Sequence, residues 1–290
     1  MPKVFNIYLL RSASGAFLSL SLSPHLHPMS QVLYHEIHLH QSSQEWLLMI
    51  HGAGGSTRTW KRQIEDLNQH FNLLVVDLPG HGQNARTQSL DALYTFEKIS
   101  SRVWEVVDEL KIQKIHLLGV SLGAIIALDM ELRHPDRVKS LVLAGAIVRL
   151  DNKLKVIANM SLTLAKLIGY RAFYKMAAFI ALPRKNHRTS REVFIRESKA
   201  LSIEEFRKWT KMYRTLNKTL NELFLKATEV PRLLLMGEQD HLFLKPALDY
   251  IAKRRNGLVT VIPRCGHVVN IERPQEFNLN CIKFIEDLGL

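Results

Sequence analysis

The sequence predicts an α/β protein: a mostly parallel, doubly wound sheet with a block of helices inserted late in the chain. Three observations carry that prediction. Short apolar runs alternate with stretches of helical period, the pattern of βαβ units. The pentapeptide Gly119-Val120-Ser121-Leu122-Gly123 falls at one of the strand-to-helix junctions. The alternation lapses between about residues 147 and 230, where helical patterning runs on, and strand character resumes at Leu233.

In chain order, residues 1–28 stand apart. They hold no acidic residue, are rich in serine and leucine, and close on Pro24-His25-Leu26-His27-Pro28. Arg11 interrupts the apolar run and no small-residue cleavage site follows, so a disordered extension is expected rather than a signal peptide, with an ordinary start at Met29. Gln31–His40 alternates as an antiparallel lead-in strand. Buried strands are expected at Trp46–Ile50, Leu73–Val76, Ile115–Leu118, Leu141–Ala144, Leu233–Met236 and Leu258–Ile262. Helices are expected at Thr57–Gln69, Thr95–Leu110, Ser121–Arg133 (stopped by Pro135) and Glu272–Leu288. The domain reading is therefore a core of residues 29–146 and 231–290, with 147–230 as a helical cap over the carboxyl edge of the sheet. In the cap, Leu162, Leu164, Leu167, Ile168, Phe173, Met176 and Phe179 sit at helical spacings, and Pro183 with the polar Arg184–Ser190 divides it.

The 290 residues are 47% hydrophobic and 23% charged, which fits one large globular domain or a domain with an insertion. Cys265 and Cys281 form no disulfide framework and no C-x-x-C pattern, so a reducing, cytoplasmic setting is the default, with export left open by the extension. The net charge of +12 is concentrated: Arg149 to Arg232 holds 19 Lys/Arg against 7 Asp/Glu, and the remainder is balanced. A solvated helical surface accounts for this as well as steering of anionic substrates or peripheral contact with an anionic membrane. The lack of a recognition module and of interleaved aromatics argues against nucleic acid.

The pentapeptide carries the chemistry. In G-x-S-x-G a sharp turn lifts the serine above the sheet, at the positive end of the following helix. A side chain two residues before or after Ser121 would strike the facing backbone, and Gly119 and Gly123 remove both collisions. A serine hydroxyl needs a base, and the base needs a third group to hold it. Asp240 follows the strand Leu233–Met236 and His267 follows Leu258–Ile262, which puts both on loops at the carboxyl edge, where ligand sites of open α/β sheets gather. His267 would take the proton of Ser121, and Asp240 would hold the imidazole tautomer. The backbone N–H groups of Ala53, in His51-Gly52-Ala53-Gly54-Gly55, and of Leu122 would bind the developing oxyanion. Glu238 and Asp151 compete with Asp240. His51, His81 and His116 read as structural, His241 as incidental, and Cys265 as a small packing residue.

His51–Gly55, Asp77-Leu78-Pro79-Gly80-His81-Gly82, Gly119–Gly123, Gly237–Asp240 and Gly266-His267 together resemble the α/β-hydrolase superfamily, in its cap-bearing, serine-nucleophile form, from about Trp46 to the C-terminus. The resemblance implies Ser121, Asp240 and His267 as catalytic triad, Ala53 and Leu122 as oxyanion donors, and no metal or organic cofactor. The expected activity is hydrolysis of a carboxylic ester or related acyl compound, lipophilic or anionic, through an acyl-enzyme. Two other readings use the same residues: a carbon–carbon bond hydrolase or lyase acting on a small acidic metabolite, and a slow-turnover ligand receptor.

Overall fold

The computed structural model describes residues 32–86, 93–150, 154–156, 160, 168–213, 215–225, 228–253 and 256–289. The expected extension 1–28, the alternative acid Asp151, and Leu162, Leu164 and Leu167 lie outside the described residues.

The elements run β1 (His35–His38), β2 (Trp46–Ile50), α1 (Ile64–Leu67), β3 (Asn72–Val76), α2 (Phe96–Glu109), β4 (Ile115–Val120), α3 (Leu122–Arg133) and β5 (Val138–Ala144). Then come α4 (Tyr170–Ala181), α5 (Arg188–Glu197), α6 (Ile203–Tyr213), α7 (Leu216–Leu225), β6 (Arg232–Gly237), α8 (Leu244–Ile251), β7 (Gly257–Ile262), α9 (Val269–Glu272) and α10 (Pro274–Glu286). The seven strands lie in the order β1-β3-β2-β4-β5-β6-β7. Only β1 is antiparallel, pairing His35 with Val76. The parallel strands β2 to β5 are apolar and almost fully buried, because helices cover both faces of the sheet. The strand β7 departs from the expectation of a buried run: it is an edge strand paired only with β6, and Leu258 and Val261 are exposed.

This strand order arranges the site. β4 lies between β2 and β5, so the loop after β2 flanks the serine on one side. The loops after β6 and β7 flank it on the other, one and two strands beyond β5.

Two expected helices are divided. Thr57–Gln69 becomes a 3-10 turn, Thr57–Trp60, followed by α1, because Asp77 Oδ1 captures the Thr57 N–H at 2.6 Å and Trp60 drives into the core beside Phe277. The C-terminal helix begins earlier than expected, at Val269, and breaks at Arg273 (φ −136, ψ 64). A residue before proline is forced out of the helical region, and Pro274 restarts the helix as α10.

The helices α4 to α7 belong to the same compact unit, Val32–Leu290, as the sheet. Trp209 Nε1 of α6 donates to Pro79 O at 3.1 Å, and Ser56 Oγ donates to Glu197 Oε2 of α5 at 2.8 Å. Some of the insertion's charges point outward, Arg188 and Lys218 being about four-fifths exposed and paired with Glu192 and Glu222 on their own helices, whereas Glu197 and Glu205 are buried. Among the described residues no helix is long and apolar enough to cross a membrane.

The helix α3 carries no amphipathic stripe, since Leu122 to Glu131 are all buried. Glu131 near its end meets Arg232 at the start of β6, Oε1 to Nη2, at 3.0 Å, with both side chains enclosed. Thr228 hydrogen-bonds to both, and Arg232 Nη1 donates to Tyr250 Oη at 3.1 Å. The pair ties the helix behind Ser121 to the strand that carries Asp240. Removing one partner strands a buried charge, which costs about 3–5 kcal/mol, whereas an exposed pair is worth about 0–1 kcal/mol. We expect Glu131→Ala to lower unfolding stability by about 3 kcal/mol or more and Glu192→Ala, at the exposed pair with Arg188, to change it by less than about 1 kcal/mol. Urea titration of both variants checks this, and equal losses would contradict it.

Candidate active site

Val120 ends β4 and Leu122 begins α3, so Ser121 alone makes the turn between them. Its backbone is held at φ 55, ψ −110, a conformation that costs a non-glycine residue about 1–3 kcal/mol. The neighbours enforce it. The Ser121 N–H donates to Ala144 O at 2.9 Å, extending the β4–β5 ladder into the turn, and Ser121 O accepts from Ala124 N at 3.1 Å. A Cβ at Gly123 would lie 2.1 Å from Ile50 O, and one at Gly119 would lie 2.3 Å from Gly123 O. Neither contact is possible, so only glycine lets α3 start this close to β2.

The serine side chain makes no capping bond to its own helix. Its Oγ lies 2.9 Å from His267 Nε2, and His267 Nδ1 lies 2.8 Å from Asp240 Oδ2. The carboxylate accepts at Nδ1, so the imidazole carries its proton there and offers Nε2 to the hydroxyl. The other oxygen, Asp240 Oδ1, accepts the N–H groups of Leu242 and Phe243 at 3.2 and 3.1 Å. Asp240 is buried, which disfavours its charge, but the attraction and hydrogen bond of His267 and the Phe243 and Leu242 N–H groups outweigh burial and hold its pKa below the usual carboxylate value. For His267, burial opposes protonation, yet the Asp240 charge and hydrogen bond, aided by the charge of Glu272, raise its pKa above the ordinary imidazole value. The Phe243 ring lies 5.1 Å from the His267 ring.

The turn after β2 abuts the serine: a Cβ at Gly52 would be 3.4 Å from Ser121 Cβ. Two histidines fix this turn. His51 Nδ1 donates to Gly52 O at 2.8 Å while its Nε2 accepts Leu78 N–H at 3.0 Å. His81 Nδ1 donates to Pro79 O at 3.0 Å while its Nε2 accepts Gly54 N–H at 3.0 Å. Each ring thus uses one donor and one acceptor, which requires the neutral form. Burial enforces that, depressing His51 to about 3, with His81 beside it adding to the effect, and His81 to about 4. Together they clamp the turn holding Ala53 to the Asp77–Gly82 turn. Sequence reading assigned both to structure but missed the clamp, which joins residues 27 positions apart. His116 is likewise internal, between Ser140 Oγ at 2.7 Å and Glu45 Oε2 at 3.1 Å.

Of the competing acids, Glu238 receives the Arg264 N–H at 2.9 Å and is exposed, away from His267. Cys265 is buried, and burial pushes its thiol far above the usual range, so it is an inert packing residue. Among the described residues no group of three or more His, Cys, Asp and Glu side chains is arranged to hold a metal ion.

Ser121 and His267 open onto a cavity of about 200 Å³. Trp60, Val120, Ile147, Phe243 and Ile271 come from the core side, and Ala177, Ala181, Val193 and Phe194 from α4 and α5. Among the described residues no Lys, Arg, Asp or Glu lines it. Motifs pointed to the polar members of the site. The apolar lining carried no local signal, because its members come from seven separate segments.

Comparison with known proteins places this geometry in a family. The family model for the alpha/beta hydrolase fold matches residues 45–274. The "Putative carbamate hydrolase RutD" of Caulobacter sp. (strain K31) is 25% identical over 260 residues, covering 87% of this chain and 95% of that protein. Among solved structures, a thermophilic esterase from Thermogutta terrifontis aligns with a TM-score of 0.74 at 20% identity, covering 89% of this chain and 94% of the other. The enol-lactonase from Burkholderia xenovorans LB400 aligns with a TM-score of 0.73 at 20% identity, covering 88% and 96%. At that identity the structural matches speak for the shared fold. The family match, spanning most of the chain and all five sequence motifs, makes this protein a member of the alpha/beta hydrolase fold family.

Proposed function

We propose that this hydrolase-family member cleaves a neutral carboxylic ester, or a related acyl compound such as a lactone or carbamate, through an acyl-enzyme on Ser121. The observation that carries the reading is the Asp240–His267–Ser121 relay, at 2.8 and 2.9 Å, on the wall of an apolar cavity. His267 Nε2 takes the hydroxyl proton as Oγ attacks the carbonyl carbon. The oxyanion forms against the N–H groups of Ala53 and Leu122, each worth about 2.7–4 kcal/mol to the transition state. His267 then hands the proton to the leaving oxygen or nitrogen. A water, deprotonated by His267, releases the acid and restores the serine.

The cavity narrows the substrate. Its volume falls below the ~300–1,000 Å³ of ordinary drug-sized ligand pockets, which favours a small acyl group. Among the described residues its lining holds no charged side chain, which disfavours an anion, since a buried carboxylate without a partner is costly. The same point weighs against a carbon–carbon bond hydrolase for acidic metabolites.

Three outcomes are expected. Ser121→Ala should fold normally and lose about 10³-fold or more in p-nitrophenyl butyrate turnover, and retained turnover would contradict the reading. Across p-nitrophenyl esters of two to sixteen carbons, kcat/KM should peak at about six carbons or fewer, with Phe194→Ala moving the peak to longer chains. A flat profile would sink the small-pocket argument. The third concerns pH. His267 must be neutral to accept the serine proton, so kcat/KM is lost as pH falls through its pKa. Because that pKa is raised, the acid limb should lie above the ~6.5 of free imidazole. Asp240→Asn should move the limb to lower pH and cut kcat by about 10³–10⁴-fold, measured from pH 4 to 9.

A further inference from the structure

The histidine that sequence reading passed over, His187, is wholly buried although it sits in the most polar stretch of the insertion. It closes a single 3-10 turn, Lys185–His187, between α4 and α5. It does not line the cavity. Instead it lies behind both loops that carry the relay. Its Nδ1 accepts the Arg184 N–H at 3.4 Å, which puts a proton on Nε2. That proton is directed to Gln239 Oε1 at 2.9 Å, with Glu272 Oε2 also near, at 3.6 Å.

Both recipients adjoin the relay. Gln239 precedes Asp240 and donates its own N–H to Cys265 O at 2.7 Å, joining the two loops. Glu272 turns its buried carboxylate back on the His267 loop, accepting Gly266 N–H at 2.8 Å and Val268 N–H at 3.4 Å. Those residues flank His267 on either side. The fit is tight: a Cβ on Gly266 would sit 2.9 Å from the His187 ring. Asn186 Nδ2 adds bonds to Gln239 Oε1 at 2.9 Å and to Arg264 O at 3.2 Å. The next residue after His187 starts α5, which brings Val193 and Phe194 to the cavity.

We infer that Glu272 and His187 are positioning residues that couple the seating of the inserted helices to the alignment of His267. Glu272 sets the His267 loop through the two flanking N–H groups. His187 braces Glu272 and Gln239 from the insertion, so the helix that shapes the acyl cavity and the loop that carries the base share one joint. The inference rests on Ser121, His267 and Asp240 acting as the triad. Neither residue touches the cavity or Ser121, so each acts through His267.

The test uses the full chain with four variants. His187→Leu removes the donor and His187→Gln retains an N–H near the place of Nε2. Glu272→Gln removes the charge and one acceptor, and His187→Asn serves if His187→Leu does not fold. With p-nitrophenyl butyrate, His187→Leu and Glu272→Gln should each lose about 10–100-fold in kcat, as misplaced catalytic groups do. KM should move little, and His187→Gln should recover most of the loss. The charged groups acting on His267 are Asp240 and Glu272. Glu272→Gln should therefore shift its titration to lower pH, followed by NMR on protein with ¹³C at the histidine ε1 position, a readout that needs no turnover. If the chain proves not to hydrolyse esters, that titration, run on Glu272→Gln and on His187→Leu, still tests the coupling. Folded His187→Leu and Glu272→Gln proteins with wild-type kcat, or an unmoved His267 titration in Glu272→Gln, would overturn the inference. So would a loss confined to melting temperature.

Discussion

The strained backbone at Ser121 is the constraint on which the rest of the molecule depends. A positive φ at a residue with a side chain persists only where the surroundings over-determine it. Here they do so from three directions. The β4–β5 ladder takes the serine N–H, the first turn of α3 takes its carbonyl, and the backbone of β2 leaves no room for anything but glycine at position 123. The apolar, fully enclosed α3 and the buried Glu131–Arg232 pair then lock that helix to the sheet. The strain is offset by packing spread over the whole core, and its product is one hydroxyl lifted clear of its own helix and presented to His267.

The relay is electrostatically self-consistent. Asp240 and His267 each stabilise the charged form of the other, and burial opposes both, so neither would hold its state alone. The neighbouring His51 and His81 show the opposite outcome of the same burial. With neutral partners on both nitrogens they are driven well below the physiological range and serve as fixed donors and acceptors. Partners thus separate these three rings: His267, against the Asp240 carboxylate, is held toward its charged form, whereas His51 and His81, between backbone groups, are held neutral. His187 sits between a backbone N–H and a carboxamide, with a carboxylate at its margin.

Much of this was legible in the sequence wherever the signal was local. The apolar runs of β2 to β6 and the glycines of the serine turn are short-range statements about sterics and burial, and they translated directly. The meeting of Ser121, His267 and Asp240 was legible because each follows a strand, and parallel strands deliver their carboxyl-terminal loops to one edge. What was not legible is long-range or context-bound. The break at Arg273 was present as Pro274 but was overridden by the helical pattern around it. The exposed face of β7 depends on its place at the sheet edge, which no residue in Gly257–Ile262 announces. The burial of His187 depends on Gln239 and Glu272, some 52 and 85 positions later, and the polar residues around it suggested a solvated break. The charge excess is context-bound in the same way, since its position in the chain says nothing about which face of each helix it occupies.

The central claim is that Ser121 becomes transiently acylated because His267 and Asp240 hold it as a nucleophile. The most direct test is intact-protein mass spectrometry after brief exposure to a fluorophosphonate, with peptide mapping, on wild type and Ser121→Ala. One stoichiometric adduct is expected in wild type, mapped to the peptide containing Ser121, with none in the variant. A folded wild type that takes no adduct, or an adduct that persists in Ser121→Ala, would contradict it.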